Sequence, residues 1–163
     1  MADQDAYIAA MTGAPFLKMH GIGNDFVVLD ARVRQLALTR SAIQAIGDRR
    51  RGVGFDQLLV LEPSPKGADV FMRIFNPDGS EAGACGNGTR CVASLILSES
   101  GKADITVETI AGILQAKAQG SLVSVAMGQP RFDPAQIPVA GIADPRQFVL
   151  SGFDHLGTAT ALS

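Results

Sequence analysis

Histidine, cysteine and excess positive charge are all scarce in this chain of 163 residues. His20 and His155 are the only histidines, Cys85 and Cys91 the only cysteines, and no two of them stand at a zinc-like spacing that would hold a structural metal. Two cysteines six positions apart are also too few for the disulfide framework of a small secreted domain. Lysine and arginine number 14 against 16 acidic residues, for a formal charge of -2. That leaves no basic excess to draw the chain to nucleic acid or to an acidic membrane surface. No apolar run approaches the ~20 residues that span a bilayer. The opening "MADQDAYIAAMTGAP" is acidic and without a sustained apolar stretch, so it is not a signal peptide. What remains is 47% apolar and 18% charged, a globular composition. The expectation is a cytoplasmic protein without membrane contact, with residues 1–14 as a flexible tail and 15–163 as one domain.

From Pro15 onward the chain is rich in strand patterns. "FLKMHGIGNDFVVLDAR" reads as strand, glycine turn, strand, over Phe16–Met19 and Phe26–Asp30. "TRSAIQAIGDRR" reads as a helix capped by Thr39 or Ser41, with Ala42, Ile43, Ala45 and Ile46 on its packed side. "QLLVLE" and "VFMRIF" are short strands, the second ending in an "NPDG" turn with Pro77 and Gly79 in favoured positions. "CVASLILSESG" carries apolar residues around nearly all sides of a helix, which predicts burial, with Gly101 as C-cap. "DITVETI", "AGILQAKAQ" and "LVSVAM" follow as alternating strands. "GQPRFDPAQIP" is irregular, and one or two strands lie in "RQFVLSGFDHLGTATALS". Strand and helix do not alternate regularly, so a doubly wound parallel sheet is disfavoured. The fold class is α+β, a curved, mainly antiparallel sheet wrapped around the central buried Cys91–Leu97 helix.

Two glycine motifs fail as nucleotide sites. "GIGNDF" lacks the third glycine of G-x-G-x-x-G and precedes a strand. "GACGNGTR" has Thr89-Arg90 where a P-loop needs Lys followed by Ser or Thr. Cys85 is more telling. Gly83, Gly86 and Gly88 leave the backbone around it bare, and a helix opens just after it. A thiol at a helix N-terminus feels the positive end of the dipole, which favours thiolate. The same N–H groups can bind a carboxylate or phosphate. Packing as a small buried hydrophobe is the alternative for Cys85, and the favoured role for Cys91. The spacing of the two is not C-x-x-C. Asn24, Gln57 and Asn76 stand at turns or strand ends. Singly each caps a turn; together they become candidates for holding a polar zwitterion if the fold brings them to one place.

"FLKMHGIGNDFVVLD", "GVGFDQLLVLE" and "RIFNPDGSEAGACGNGTRCVA" resemble, in order and spacing, three signature blocks of the diaminopimelate epimerases, and "MGQPRFDPAQIP" fits the segment that follows. The resemblance implies two similar domains, each a sheet curled around a helix, with the active site between them. It implies a cofactor-independent enzyme that interconverts L,L- and meso-2,6-diaminopimelate for lysine and peptidoglycan synthesis. Cys85 matches one of the family's two catalytic cysteines. Gly86 and Asn87 match the helix-start residues that hold the reacting carboxylate, and Asn24, Gln57 and Asn76 match side chains that contact substrate. The partner is thus a small molecule, with no cofactor, and a homodimer is left open. No second cysteine of that kind is present, and "TATALS" falls where the family crosses into its second domain. The expectation is a first domain, inactive alone. The rival expectations are a related isomerase of the proline racemase or phenazine-biosynthesis type, and a binding domain without catalysis.

Overall fold

The two uninterrupted apolar runs "FVVL" (Phe26–Leu29) and "LLVL" (Leu58–Leu61) set the architecture. In a strand, successive side chains point to opposite faces, so an unbroken apolar run must be covered on both. The computed structural model describes residues 14–137, 141, 143–153, 155 and 157–161. In it the chain forms two compact units, Met1–Ala126 and Met127–Ser163. The tail expected over 1–14 lies outside the described residues except for Ala14.

In the first unit the strands are β1 (Phe16–Gly21), β2 (Asn24–Asp30), β3 (Gln57–Glu62), β4 (Val70–Phe75), β5 (Glu81–Ala82), β6 (Asp104–Thr109), β7 (Gly112–Gln119) and β8 (Leu122–Ala126). They join in one sheet in the order β1-β2-β3-β4-β6-β7-β8, with β5 added beside β4. Most neighbours are antiparallel, but β2 pairs with β3, and β4 with β6, in parallel. Each parallel pair is bridged by a helix, as a parallel connection requires. The first is α1 (Arg40–Gly47) and the second α2 (Gly86–Ser100). Helix α2 packs against both edge strands, β1 and β8, as well as β2, β6 and β7. Only a curled sheet can touch one helix with both of its ends, so the expected wrapped α+β fold is the observed one.

The two helices divide the core. Phe26, Val28, Leu59, Leu61, Val70, Met72 and Ile74 pack on α2 through Cys91, Val92, Ala93, Ile96 and Leu97. The alternate row, Val27, Leu29, Leu58, Val60 and Phe75, packs on Ile43 and Ile46 of α1 and on Phe55. Two details differ from the sequence expectation. Ala45 is exposed, because α1 buries only the narrow stripe of Ala42, Ile43, Ile46 and Gly47. Helix α2 is not covered all round, since Ser94, Ser98, Glu99 and Ser100 face outward. Thr39 is the N-cap of α1, accepting the Ala42 N–H at 3.2 Å, and Gly101 ends α2 at φ 67°.

The second unit is mostly irregular. A single 3₁₀ turn, Pro134–Gln136, is capped by Asp133, which accepts the Ala135 N–H at 3.0 Å. A short antiparallel pair joins β9 (Phe148–Val149) to β10 (Thr158–Ala159). The Arg146 guanidinium lies 5.5 Å over the Phe132 ring.

Candidate active site

Because β2 and β3 run in parallel, both begin at the same end of the sheet. The antiparallel β4 finishes there, and α2 starts there. Asn24 opens β2 and Gln57 opens β3, while Asn76 follows the last residue of β4. Asn24 also stands in step with Phe26 and Val28, Gln57 with Leu59 and Leu61, and Asn76 with Met72 and Ile74. All three amides therefore continue the rows of the sheet that face α2. They are half-buried, as are Cys85, Gly86 and Asn87. The fold brings the sequence candidates to one mouth.

Cys85 is the N-cap of α2, with extended backbone (φ -150°, ψ 107°). Its Sγ accepts the Gly88 N–H at 3.3 Å, and its carbonyl takes the Thr89 N–H and the Thr89 Oγ1 hydroxyl, both at 2.8 Å. Gly88 leaves little room for a side chain. A Cβ there would meet Leu59 at 3.2 Å and the Cys85 sulfur at 3.4 Å. The N–H groups of Gly86 and Asn87, at the first two helical positions, have no intrahelical acceptor. They point out of the positive end of a helix of 15 residues. Cys91, by contrast, is only 7% exposed within the core, and burial pushes its thiol up.

The amides form two linked groups. Asn24 Oδ1 accepts from Asn87 Nδ2 at 3.3 Å and faces the Cys85 thiol at 3.9 Å. Gln57 Nε2 donates to Asn76 Oδ1 at 3.2 Å, and Asn76 Nδ2 donates to Ser80 Oγ at 3.0 Å. The turn that carries Asn76 closes through the Gly79 N–H to the Asn76 carbonyl at 2.9 Å, with Gly79 at φ 80°.

Sequence reasoning missed the charged frame behind Asn24. Asp56 Oδ2 accepts both Asn24 Nδ2 and the Asp25 N–H at 3.0 Å. Arg49 joins Asp25 at 2.6 and 3.2 Å and Asp56 at 2.8 Å, and Lys18 joins Asp25 at 2.5 Å. The Arg49 guanidinium, followed by the Lys18 ammonium, holds the Asp25 carboxyl well below the usual carboxylate range. The signal available in sequence was an acid directly before Gln57 and another directly after Asn24. Each reads as a solvated turn residue until the parallel pairing puts them side by side.

A sheet curled around one helix, with a half-buried thiol capping that helix beside three side-chain amides, defines the class: a curled-sheet α+β domain with a cysteine at its polar mouth. Residues 16–132 match the family model for diaminopimelate epimerase, and the chain belongs to that family. It is 60% identical over 132 residues to the diaminopimelate epimerase of Rhodospirillum centenum, covering 79% of this chain and 45% of that protein. It is 45% identical over 159 residues to that of Coxiella burnetii, covering 90% and 58%. The chain thus spans about half the length of these curated relatives. Among solved structures, a Bacillus anthracis phenazine biosynthesis protein of the PhzF family superposes with a TM-score of 0.50 at 29% identity, covering 72% of this chain and 40% of that one.

Proposed function

We propose that the chain is the first, single-thiol part of a cofactor-independent epimerase that interconverts L,L- and meso-diaminopimelate. The observation that carries this is Cys85 as the cap of α2, at the sheet end where Asn24, Gln57 and Asn76 meet, in a chain of the diaminopimelate epimerase family. Removing a proton from an amino-acid Cα builds negative charge that spreads onto the neighbouring carboxylate. The Gly86 and Asn87 N–H groups and the helix dipole are placed to stabilise it. The Cys85 sulfur takes the proton as thiolate, or returns one as thiol. Gln57 and Asn76 hold the distal amino-acid end and select which of two similar stereocentres reacts, while Asn24 stands beside the reacting sulfur.

Inversion needs a second acid–base group on the other face of the carbon. Cys91 lies in the same helix, buried among Val92, Ala93 and Ile96, and cannot face Cys85 across a substrate. The second thiol must come from outside these residues, so this chain alone is expected to bind without turning over. The test is titration with L,L-diaminopimelate in ordinary water, followed by NMR, with a parallel incubation in deuterated water that reports on the substrate. Saturable shifts are expected at the Asn24, Gln57 and Asn76 side-chain amides and at the Gly86 and Asn87 N–H groups. The substrate α-hydrogen should be retained. L-Lysine, which lacks the distal carboxylate, should shift the same signals more weakly. Silence of these amides with diaminopimelate would overturn the substrate assignment. Deuteration at Cα by this chain alone would overturn the need for a second thiol. The likeness to a PhzF-family protein favours, as second reading, a related isomerase with another substrate; stronger shifts with proline than with diaminopimelate would select it.

A further inference from the structure

Cys85 has two neighbours of opposite hydrogen-bonding sense. The Gly88 N–H donates to Sγ at 3.3 Å, and the thiol faces Asn24 Oδ1 at 3.9 Å. A bare sulfur is served by the donor, and a protonated one by the acceptor. A group that both takes and returns a proton uses both, provided Asn24 turns its oxygen to the sulfur. Asn24 does not decide this itself, because the C=O and NH₂ ends of a primary amide have nearly the same shape and exchange by a half-turn.

The neighbours decide it. Asp56 as carboxylate is acceptor-only. Its Oδ2 lies 3.0 Å from Asn24 Nδ2 and 3.0 Å from the Asp25 N–H, so it accepts both. On the opposite side Asn87 Nδ2 donates to Asn24 Oδ1 at 3.3 Å, and Arg90 donates to Asn87 Oδ1, which fixes Asn87 in turn. A flipped Asn24 would set oxygen against oxygen at Asp56 and NH₂ against NH₂ at Asn87. Arg49 keeps the Asp56 carboxylate in place through its other oxygen at 2.8 Å, and Arg49 and Lys18 together neutralise the adjacent Asp25.

We infer that Asp56 is a positioning residue, which locks the Asn24 amide with its nitrogen away from Cys85 and its oxygen toward it. Its significance for proton transfer rests on the epimerase reading. The positioning itself does not, and it can be tested without substrate.

Three variants separate the lock from general support. Asp56→Ala removes the acceptor, freeing Asn24 to turn its NH₂ toward the sulfur. The gain of that donor and loss of the acceptor both favour the nucleophilic form of the sulfur. Cys85 alkylation by iodoacetamide at neutral pH should therefore rise about 5-fold, the effect of one ordinary hydrogen bond. The Asn24 side-chain NMR signals should move. Asp56→Asn keeps one oxygen to accept both N–H groups and should stay within about 2-fold of wild type, since no hydrogen bond to Asn24 is lost. Arg49→Ala loosens the Asp56 carboxylate but leaves its bonds to Asn24 and the Asp25 N–H, so it should lower the melting temperature and raise the Cys85 rate by less than Asp56→Ala does. An unchanged rate in Asp56→Ala, or an equal rise in Arg49→Ala, overturns the inference. In the wild-type chain, Asn24 amide protons should show cross-relaxation to the Asp25 N–H. Stronger cross-relaxation to the Cys85 β-protons would overturn the inference even if Asp56→Ala fails to fold. Failure to bind diaminopimelate would leave these results standing, and their failure would leave the epimerase reading standing.

Discussion

The two cysteines should differ in reactivity by orders of magnitude, and the structure sets the size of the gap. Cys85 is half-buried at the mouth, where a small alkylating agent reaches it without any opening. Cys91 is only 7% exposed, on the wall of an open pocket with Met19, Arg90 and Leu122, and iodoacetamide can surround its sulfur only if α2 lifts from the sheet. Lifting it exposes Val92, Ile96 and Leu97, which are 0%, 5% and 8% accessible. Each costs about 1.5–3 kcal/mol to bring into water, so an opening costs at least about 4 kcal/mol. That is a population near one in a thousand, since every 1.4 kcal/mol is tenfold. The burial that pushes the Cys91 thiol up adds to the gap. Peptide mass spectrometry after timed iodoacetamide treatment should give Cys85 at least about 100-fold faster than Cys91 in the folded chain, a deliberately low bound on that opening population. The two rates should converge in concentrated urea. A folded-state ratio below about 10 would mean an opening cost under about 1.4 kcal/mol, and would refute the packing of α2 described above.

Other substitutions probe the frame and the mouth. A Cβ on Gly52 would stand 2.1 Å from the Ala45 carbonyl oxygen and 2.6 Å from that of Ile46. The backbone at the end of α1 cannot retreat cheaply, so Gly52→Ala should cost about 2–3 kcal/mol and lower the melting temperature by roughly 5–10 °C in calorimetry. Asp69 accepts from Lys102 Nζ at 2.5 Å, the Thr106 N–H at 2.7 Å and Thr106 Oγ1 at 2.9 Å. The Lys102 ammonium, with the Thr106 N–H, lowers its pKa from 3.8 to about 2. A folded value below the unfolded one stabilises above about pH 4, and that contribution is lost as pH falls toward 2. Asp69→Asn should thus cost about 1–2 kcal/mol at pH 7 in urea unfolding, less than the full shift because the site is partly solvated, and the difference from wild type should shrink between pH 4 and 2. Asn76→Ala removes the acceptor of Gln57, and should weaken diaminopimelate binding about 10-fold with at most about 1 kcal/mol lost in stability.

Most strands, both helices and the caps Thr39 and Gly101 were legible because each rests on local pattern, short apolar runs between turn residues; the two-residue β5 was not, since Glu81–Ala82 carries no apolar pattern. The two parallel pairings were not read. Pairing direction depends on how the chain returns over dozens of residues, and a strand pattern is the same read in either direction. The unbroken "FVVL" and "LLVL" runs were the available hint, since strands covered on both faces lose their alternation. The site followed the same division. Cys85 and its glycines announced themselves by composition, and the amides by their place at strand ends. Lys18, Asp25, Arg49 and Asp56 did not stand out, because a charged residue in a turn or on an outer strand is ordinarily a solvated one, and two acids beside amides mean little until the strands pair. The pattern puts Ala45 on the packed side of α1, but the helix is short and its buried stripe takes only Ala42, Ile43, Ile46 and Gly47.

Pairing direction and side-chain parity together explain why the amides meet at all. β3 has six residues, which at about 3.3 Å each extend roughly 20 Å. Had β2 and β3 paired antiparallel, Asn24 and Gln57 would lie at opposite ends of that span, too far apart to serve one small molecule. Parity adds the second condition. Asn24, Gln57 and Asn76 face α2 because each is an even number of residues from a core position on that side: Phe26, Leu59 and Ile74. A slip of β3 by a single residue would turn Gln57 toward α1 and would expose Leu59 and Leu61 to the wrong helix. The register that places Phe26 opposite Gln57 is therefore held by the same apolar rows that make the core. At the mouth the polar bonds run with it: Asp56 to Asn24 and the Asp25 N–H ties β2 to β3, and Gln57 to Asn76 ties β3 to β4.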